Sequence, residues 1–286
     1  NVPGISFVKS TEGNFTFFRN IITDELSGSL KKAFDLGGIG QVYAFGNEYY
    51  APKGSYFFNI TSKSKVTMTN NISRGGRVYL GGMADLNIYG NEVDALNHKF
   101  SFYSALNPNG SFCNNSGKNA STVFSFRGNC MNTDFSNNDI GQLYTLVSGT
   151  GLFVDDVIGQ QEHKANLWNA SFSIEGATNT SPLSQFSLIT VNSDPNQGGN
   201  SLFEPQNDSY SPLNWFDKET STSIFANCQP TNIINPNSDI SFVDRAIIDN
   251  HYNITPLSNW LAIKNLIRKL IMYPVLLNDV DVNNWW

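Results

Sequence analysis

A short pattern of apolar and polar positions recurs four times along the first half of the chain. Its third position is apolar and its last position is asparagine in every copy, and the copies begin 20, 24 and 23 residues apart. Apolar residues that alternate with polar ones predict strands with one buried face. The four copies are residues 66–71, 86–91, 110–115 and 133–138.

A second set of strand signals runs in phase with the first, with offsets of 22, 24 and 20 residues. Its members read apolar, any residue, apolar, and turns rich in glycine or asparagine separate them from the first set. The segments are Val78-Tyr-Leu80, Phe100-Ser-Phe102, Phe124-Ser-Phe126 and Tyr144-Thr-Leu146. Two strands per coil of about 22 residues are typical of a β-solenoid.

The repeat predicts two internal ladders of stacked side chains, because each coil can bury its apolar face only against its neighbours. One ladder would contain Met68, Ile88, Phe112 and Phe135, and the other Leu80, Phe102, Phe126 and Leu146. Asparagines at the turns could form a further ladder of hydrogen bonds. The alternative all-β architecture is a sandwich or jelly roll, which does not require this regular register.

The repeat fades near residue 192, which predicts a boundary between a solenoid of residues 1–192 and a C-terminal subdomain of residues 193–286. The segment 193–212 is rich in proline, glycine and asparagine and is expected to be a linker. Residues 255–273 predict one amphipathic helix, with Thr255 as N-cap and Pro256 at the first helical position. We expect this helix to pack on its own domain.

Composition narrows the class of protein. Only 15% of the residues are charged, 13% are aromatic and the net charge is −6, so the chain is neither disordered nor suited to nucleic acid. No apolar run is long enough for a membrane span, and no motif calls for a cofactor or metal. We expect a monomeric extracellular protein with an unidentified cell, glycan or abiotic surface as its partner.

Glycosylation sequons and cysteines support a secreted protein. Ten sequons are present, at Asn14, Asn59, Asn71, Asn109, Asn114, Asn119, Asn169, Asn179, Asn207 and Asn253. Three cysteines predict one disulfide and one free thiol. Cys113–Cys130 is the local pairing, whereas Cys130–Cys228 would join the two halves of the chain.

The coils resemble the N-terminal domains of fungal hyphally regulated cell-wall adhesins and related adhesin-like wall proteins. The resemblance lies in Phe112-Cys-Asn-Asn115-Ser-Gly117, Phe135-Ser-Asn-Asn138-Asp-Ile-Gly141 and Ser148-Gly-Thr-Gly-Leu-Phe153, and it covers roughly residues 35 to 190. It implies a right-handed parallel β-helix followed by a smaller sandwich-like domain. It also implies a Ser/Thr-rich stalk and a lipid-linked wall anchor in the precursor, and a non-catalytic adhesive function. The helical pattern near the C-terminus departs from this family.

Two other functions fit the same fold. Asn132-Thr-Asp134 and Asp155-Asp156 resemble signatures of polygalacturonase-type β-helix hydrolases, in which two carboxylates flank the scissile bond. The glycine that should follow Asp134 is Phe135, and the Gly-His-Gly and Arg-x-Lys motifs are absent; the nearest imidazole is His163. The third hypothesis is a viral or protist surface glycoprotein. The sequence therefore favours a surface adhesin without catalytic residues.

Overall fold

The computed structural model describes most of the first half of the chain and several later stretches. Those are residues 5–24, 30–141, 149–158, 161–162, 164, 166–168, 175–180, 188–191, 205, 210–213 and 215–219. Every regular element among them is a β-strand, and all strand pairs are parallel. The strands stack as a β-solenoid of about six turns, which confirms the predicted fold class. Its handedness stays a prediction.

The shorter strands form a six-stranded sheet on one side of the solenoid, with adjacent coils contributing adjacent strands. In order along the sheet they are β2 (Phe15–Phe18), β5 (Gln41–Phe45), β7 (Lys65–Thr69), β9 (Asp85–Tyr89), β11 (Asn109–Cys113) and β13 (Asn132–Ser136). The alternation of the sequence is directly visible here. In β5, Val42 and Ala44 are fully buried while the residues between and beside them are partly exposed.

The longer strands form a twelve-stranded sheet that supplies the rest of each coil. Its main path is β1 (Ile5–Ser10), β4 (Leu30–Leu36), β6 (Glu48–Thr61), β8 (Ile72–Gly81), β10 (Glu92–Ala105), β12 (Ser116–Arg127), β15 (Thr150–Val154), β18 (Glu175–Asn179) and β20 (Tyr210–Ser211). Beside this path lie β3 (Ile21–Thr23), β14 (Asp139–Ile140) and β17 (Leu167–Trp168). A three-stranded sheet consists of β16 (Gln161–Glu162), β19 (Leu188–Val191) and β21 (Phe216–Glu219).

The turn from each short strand to the following long strand explains the recurrent Asn-Asn and Gly-Asn pairs. The first residue of the pair has a positive φ of 52° at Asn70, 55° at Asn114 and 53° at Asn137, a conformation that asparagine and glycine tolerate best. The second residue turns its side chain into the interior. The same left-handed position is filled by Gly46 and Gly90 in other coils.

These inward asparagines form a continuous ladder of hydrogen bonds through the solenoid, as predicted. Each side-chain amide donates to the Oδ1 atom of the next asparagine at 2.8–3.1 Å. From the second member onward, each amide also donates to a strand carbonyl at 2.7–3.0 Å. The ladder consists of Asn20, Asn47, Asn71, Asn91, Asn115, Asn138 and Asn166. Buried polar groups are thus paired from coil to coil.

The first predicted apolar ladder is confirmed. Met68 pairs with Ile88, Ile88 with Phe112, and Phe112 with Phe135, and none of the four is more than 1% exposed. The register continues on the N-terminal side through Ala44. Side chains about 22 positions apart therefore lie over one another in a shared core.

The second predicted ladder is wrong in its register. Ser104, not Phe102, lies between Leu80 and Phe126. Phe102 is instead the partner of Val78, and Phe100 lies on the outer surface. The cause is an insertion in β10: between Asp94 and Phe102 the register shifts relative to β8. Leu146, the fourth predicted member, lies outside the described residues.

The solenoid extends beyond the boundary predicted at residue 192. Strand β20 pairs with β18, and β21 pairs with β19, so strands on both sides of that position belong to the same stacks. The chain divides into two compact units, Asn1–Pro230 and Thr231–Trp286. The predicted linker 193–212 includes β20, because turn-rich composition did not reveal a two-residue strand. The helix predicted at 255–273 lies outside the described residues.

Candidate functional site: an aromatic face

Aromatic side chains cluster on the outer surface of the twelve-stranded sheet, where adjacent coils place them side by side. Residues 59, 79 and 103 are register partners on β6, β8 and β10, and two of them are tyrosines. Tyr56 on β6 and Arg77 on β8 form the preceding outward pair of register partners. We name the aromatic face after the five side chains that form it: Tyr56, Arg77, Tyr79, Phe100 and Tyr103.

The rings of the aromatic face contact one another in defined geometries. Tyr79 and Tyr103 are stacked with centroids 4.8 Å apart and planes 11° from parallel. Phe100 lies 5.0 Å from Tyr103 and 6.3 Å from Tyr56, centroid to centroid. Tyr56, Tyr79 and Tyr103 are partly exposed, whereas Phe100 is 6% exposed and supports them from behind. The result is a rigid aromatic surface held by paired strands.

Arg77 is inserted between two rings of this surface. Its guanidinium carbon lies 4.0 Å from the centroid of Tyr56 and 4.9 Å from that of Phe100, which is cation–π geometry on both sides. One terminal nitrogen is 3.4 Å from Nδ1 of His98. Burial lowers the pKa of Arg77 from its usual value, although an arginine remains cationic in proteins.

A smaller group of the same kind continues the surface on the next coils. Ser125 follows Tyr103 in the register, and Phe153 follows Ser125. The guanidinium carbon of Arg127 lies 3.9 Å from the centroid of Phe153, and its Nη1 is 3.4 Å from a carboxylate oxygen of Asp155. Hydroxyl, aromatic and cationic groups therefore run along one side of the solenoid.

The Tyr103 hydroxyl of the aromatic face keeps its proton at neutral pH. Burial raises the pKa of Tyr103, and the neighbouring Tyr79 raises it further. A neutral phenol both donates and accepts a hydrogen bond. The face can thus offer aromatic ring edges, phenol hydroxyls and a fixed cation to a ligand.

Sequence reasoning missed this face because it read Phe100-Ser-Phe102 only as an alternating, half-buried strand. The signal was present: Tyr56, Tyr79 and Tyr103 follow one another at spacings of 23 and 24 residues, one coil each. Each tyrosine is flanked in sequence by residues that the structure buries, such as Val78 and Leu80. An aromatic residue at an outward position of consecutive coils would have identified the surface.

The carboxylates of the hydrolase hypothesis lie on different sheets and have separate partners. Asp134 points outward as predicted, but it lies on β13 of the six-stranded sheet and forms an ion pair with Lys164 at 3.0 Å. Asp155 directly follows β15 of the other sheet, where it contacts Arg127 and accepts a hydrogen bond from Thr180. The arrangement gives no support to an acid and base acting on one bond.

Metal binding and membrane insertion receive no support from the described part of the chain. It contains no cluster of three or more His, Cys, Asp or Glu side chains that could hold a metal ion. No helix suited to spanning a bilayer occurs in those same residues.

The sequons differ sharply in their surroundings. Asn14, Asn109 and Asn114 are exposed, and Asn59 and Asn119 are partly exposed. Asn71 is 1% exposed and belongs to the asparagine ladder, so its amide is already engaged, and Asn179 is 8% exposed. Occupancy at the exposed sites stays a prediction, and Asn169, Asn207 and Asn253 lie outside the described residues.

The predicted disulfide is corrected by the structure. Cys113 is disulfide-bonded, but Cys130 is a free, buried thiol, so neither pairing that includes Cys130 is present. Cys113 ends a strand of the six-stranded sheet, whereas the Cys130 thiol is directed at the carbonyl of Arg127 inside the turn after β12. Nearness in sequence does not bring the two sulfur atoms together. The partner of Cys113 lies outside the described residues.

Comparison of the chain with protein-family models, with curated proteins and with solved structures finds no match. The resemblance to fungal wall adhesins therefore remains a hypothesis. The functional proposal therefore depends on the geometry of the described residues.

Proposed function

We propose that this chain is the non-catalytic binding head of a secreted surface adhesin, and that it attaches to its target through the aromatic face. The observation that carries the proposal is the row of outward aromatic rings around Arg77 on a rigid parallel sheet. Tyrosine and arginine are the residue types that contribute most at binding surfaces.

The solenoid suits attachment because its side is long, flat and fixed. Each coil adds one strand in register, so contacts repeat along the axis at strand spacing, about 4.8 Å. Many heads displayed on one surface would turn weak single contacts into firm attachment. Exposed sequons and the resemblance to wall adhesins support an extracellular location for such a head, anchored to a fungal cell wall.

The test is to display the whole chain on a non-adherent cell and count the cells retained on epithelial cells, on immobilised glycans and on plastic. The double variant Tyr79→Ala/Tyr103→Ala should reduce retention at least tenfold, because the stacked pair is removed. Tyr43→Ala is the matched control, since Tyr43 is a partly exposed tyrosine on the six-stranded sheet. Thermal melting of each variant separates lost binding from lost folding.

Two results would contradict the proposal. Retention equal to that of cells without the head on every surface would remove the adhesive function. Release of reducing ends from pectin-like polymers, abolished by both Asp155→Asn and Asp156→Asn, would replace the binding head by a hydrolase.

A further inference from the structure

Arg77 differs from the other arginines on the outer surface of this sheet in having no carboxylate partner among the described residues. Arg74 is 2.7 Å from Glu92, and Arg127 is 3.4 Å from Asp155. The Nε atom of Arg77, like that of Arg127, is buried without a hydrogen-bond acceptor in the described part of the structure, so a ligand would meet the terminal nitrogens. A half-buried cation without a counter-charge is costly, and an anionic ligand would relieve that cost.

The position of this cation is fixed before any ligand arrives. The rings of Tyr56 and Phe100 hold the guanidinium plane from two sides, and His98 contacts one end. A held guanidinium loses little conformational entropy on binding and presents its donors in the fork that matches a carboxylate or a sulfate. The site is thus organised for a planar or tetrahedral anion.

The surroundings of Arg77 fit a saccharide better than a peptide. The strands below the face are paired on both sides, so no free strand edge is offered for a peptide backbone to extend. Recognition must therefore use side chains. The stacked rings of Tyr79 and Tyr103 cover each other's faces, so they offer apolar ring edges and phenol hydroxyls to a pyranose.

We infer that the aromatic face binds an anionic saccharide, with its carboxylate or sulfate on Arg77 and its sugar ring on the tyrosine pair. This inference rests on the proposed function and names the ligand class of the same site. The carboxylated and sulfated forms share one chemistry, and the experiment separates them.

The experiment measures binding of the purified whole chain to matched oligosaccharides by calorimetry. The probes are tetragalacturonate, the same tetramer as its methyl ester, and a heparin tetrasaccharide with its desulfated form. The ester keeps every ring and removes every charge. The acid should bind at least tenfold more tightly than the ester, because charge-assisted bonds to a guanidinium are strong. Tighter binding of the heparin tetrasaccharide than of its desulfated form, which keeps the carboxylates, would identify sulfate as the preferred anion.

Variants at Arg77 and at a control arginine locate the effect. Arg77→Gln should abolish the preference for acid over ester, whereas Arg77→Lys should retain part of that preference. Arg74→Gln is the control, since Arg74 is on the same sheet but paired with Glu92, and it should keep the full preference. Thermal melting followed by circular dichroism shows that each variant is folded.

Three outcomes would overturn the inference: equal affinity of the wild type for acid and ester, a preference that survives Arg77→Gln, or binding to neither the galacturonates nor heparin. These outcomes are distinct from failure of the proposed function. A head that retains cells through Tyr79 and Tyr103 yet shows no charge preference remains an adhesin with a neutral or protein ligand. A head that prefers the acid but retains no cells keeps the site and loses the adhesive function.

Discussion

Replacing one inward asparagine should destabilise the solenoid far more than replacing an outward one. Asn115 is fully buried, and its side chain makes four hydrogen bonds. Its Oδ1 accepts from the main chain and side chain of Asn91, and its amide donates to the Ile88 carbonyl and to Asn138. In Asn115→Ala, the main-chain N–H of Asn91 and the Ile88 carbonyl lose these bonds. The Asn91 side-chain amide still donates to the Met68 carbonyl, and Asn138 Oδ1 still accepts from the main chain of residue 115.

The magnitude follows from those lost partners. A buried donor or acceptor left without a partner costs about 1–3 kcal/mol, so two such groups should cost roughly 2–6 kcal/mol. Asn132→Ala is the matched control. Asn132 is exposed and makes a surface bond of 2.9 Å to Asn109, so its loss should cost no more than about 0.5 kcal/mol.

Guanidinium denaturation followed by circular dichroism measures the difference between the two variants. Hydrogen exchange adds a local readout, because the main-chain N–H of Asn91 donates to Asn115 Oδ1. It should lose protection in Asn115→Ala and keep it in Asn132→Ala. Equal stability of the two variants, or an Asn91 amide still fully protected in Asn115→Ala, would refute the idea that the ladder holds the coils together.

Three further predictions concern a buried phenol, a crowded glycine and a buried sequon. Burial raises the pKa of Tyr49 from 10.0 to about 12. The neutral Tyr49 phenol therefore contributes fully to stability below pH 10, and the free energy of unfolding should fall by about 3 kcal/mol as the pH rises through 12. Denaturation at pH 8 and at pH 12 should show this extra alkaline loss in the wild type and not in Tyr49→Phe; identical losses would contradict it. Gly76→Ala should cost about 1–3 kcal/mol in the same assay, since a Cβ there would lie 2.5 Å from the Tyr49 ring, whereas Gly37→Ala, with 3.4 Å to its nearest neighbour, should cost much less. Glycopeptide mapping of folded protein should find glycan at Asn109 but not at Asn71, and a stable, folded fraction with glycan on Asn71 would be inconsistent with the ladder.

The fold was largely predictable because the repeat carries it. Met68, Ile88 and Phe112 recur at one coil's spacing, and an inward apolar residue has no alternative but to stack on its counterpart. The Asn-Asn pairs at the turns were equally informative. Asparagine tolerates the left-handed conformation of the first position, and its side-chain amide can form the hydrogen-bond ladder from the second position. Register was predictable wherever the coils have matching lengths.

What the sequence did not reveal depends on insertions and on distant contacts. The extra residues in β10, with positive φ at Leu96 and Asn97, place Phe100 beneath the tyrosines on the outer side of the sheet. The rings of the aromatic face come from three coils, so the tyrosine spacing that links them is visible only when the coils are aligned. Disulfide pairing failed for a similar reason, since sequence separation does not report which side of a coil a cysteine occupies.

The stacking of coils in this register is the claim on which the rest depends, and cross-linking tests it directly. Lys65 and Asp85 are register partners on adjacent strands, whereas Gln41 and Asp85 are separated by one strand, about 9–10 Å. With cysteines at each pair of positions, mild oxidation should join 65 to 85 readily and leave 41 and 85 unjoined, as tryptic mass spectrometry would show. Efficient joining of 41 to 85, or none between 65 and 85, would contradict the solenoid and the face built on it.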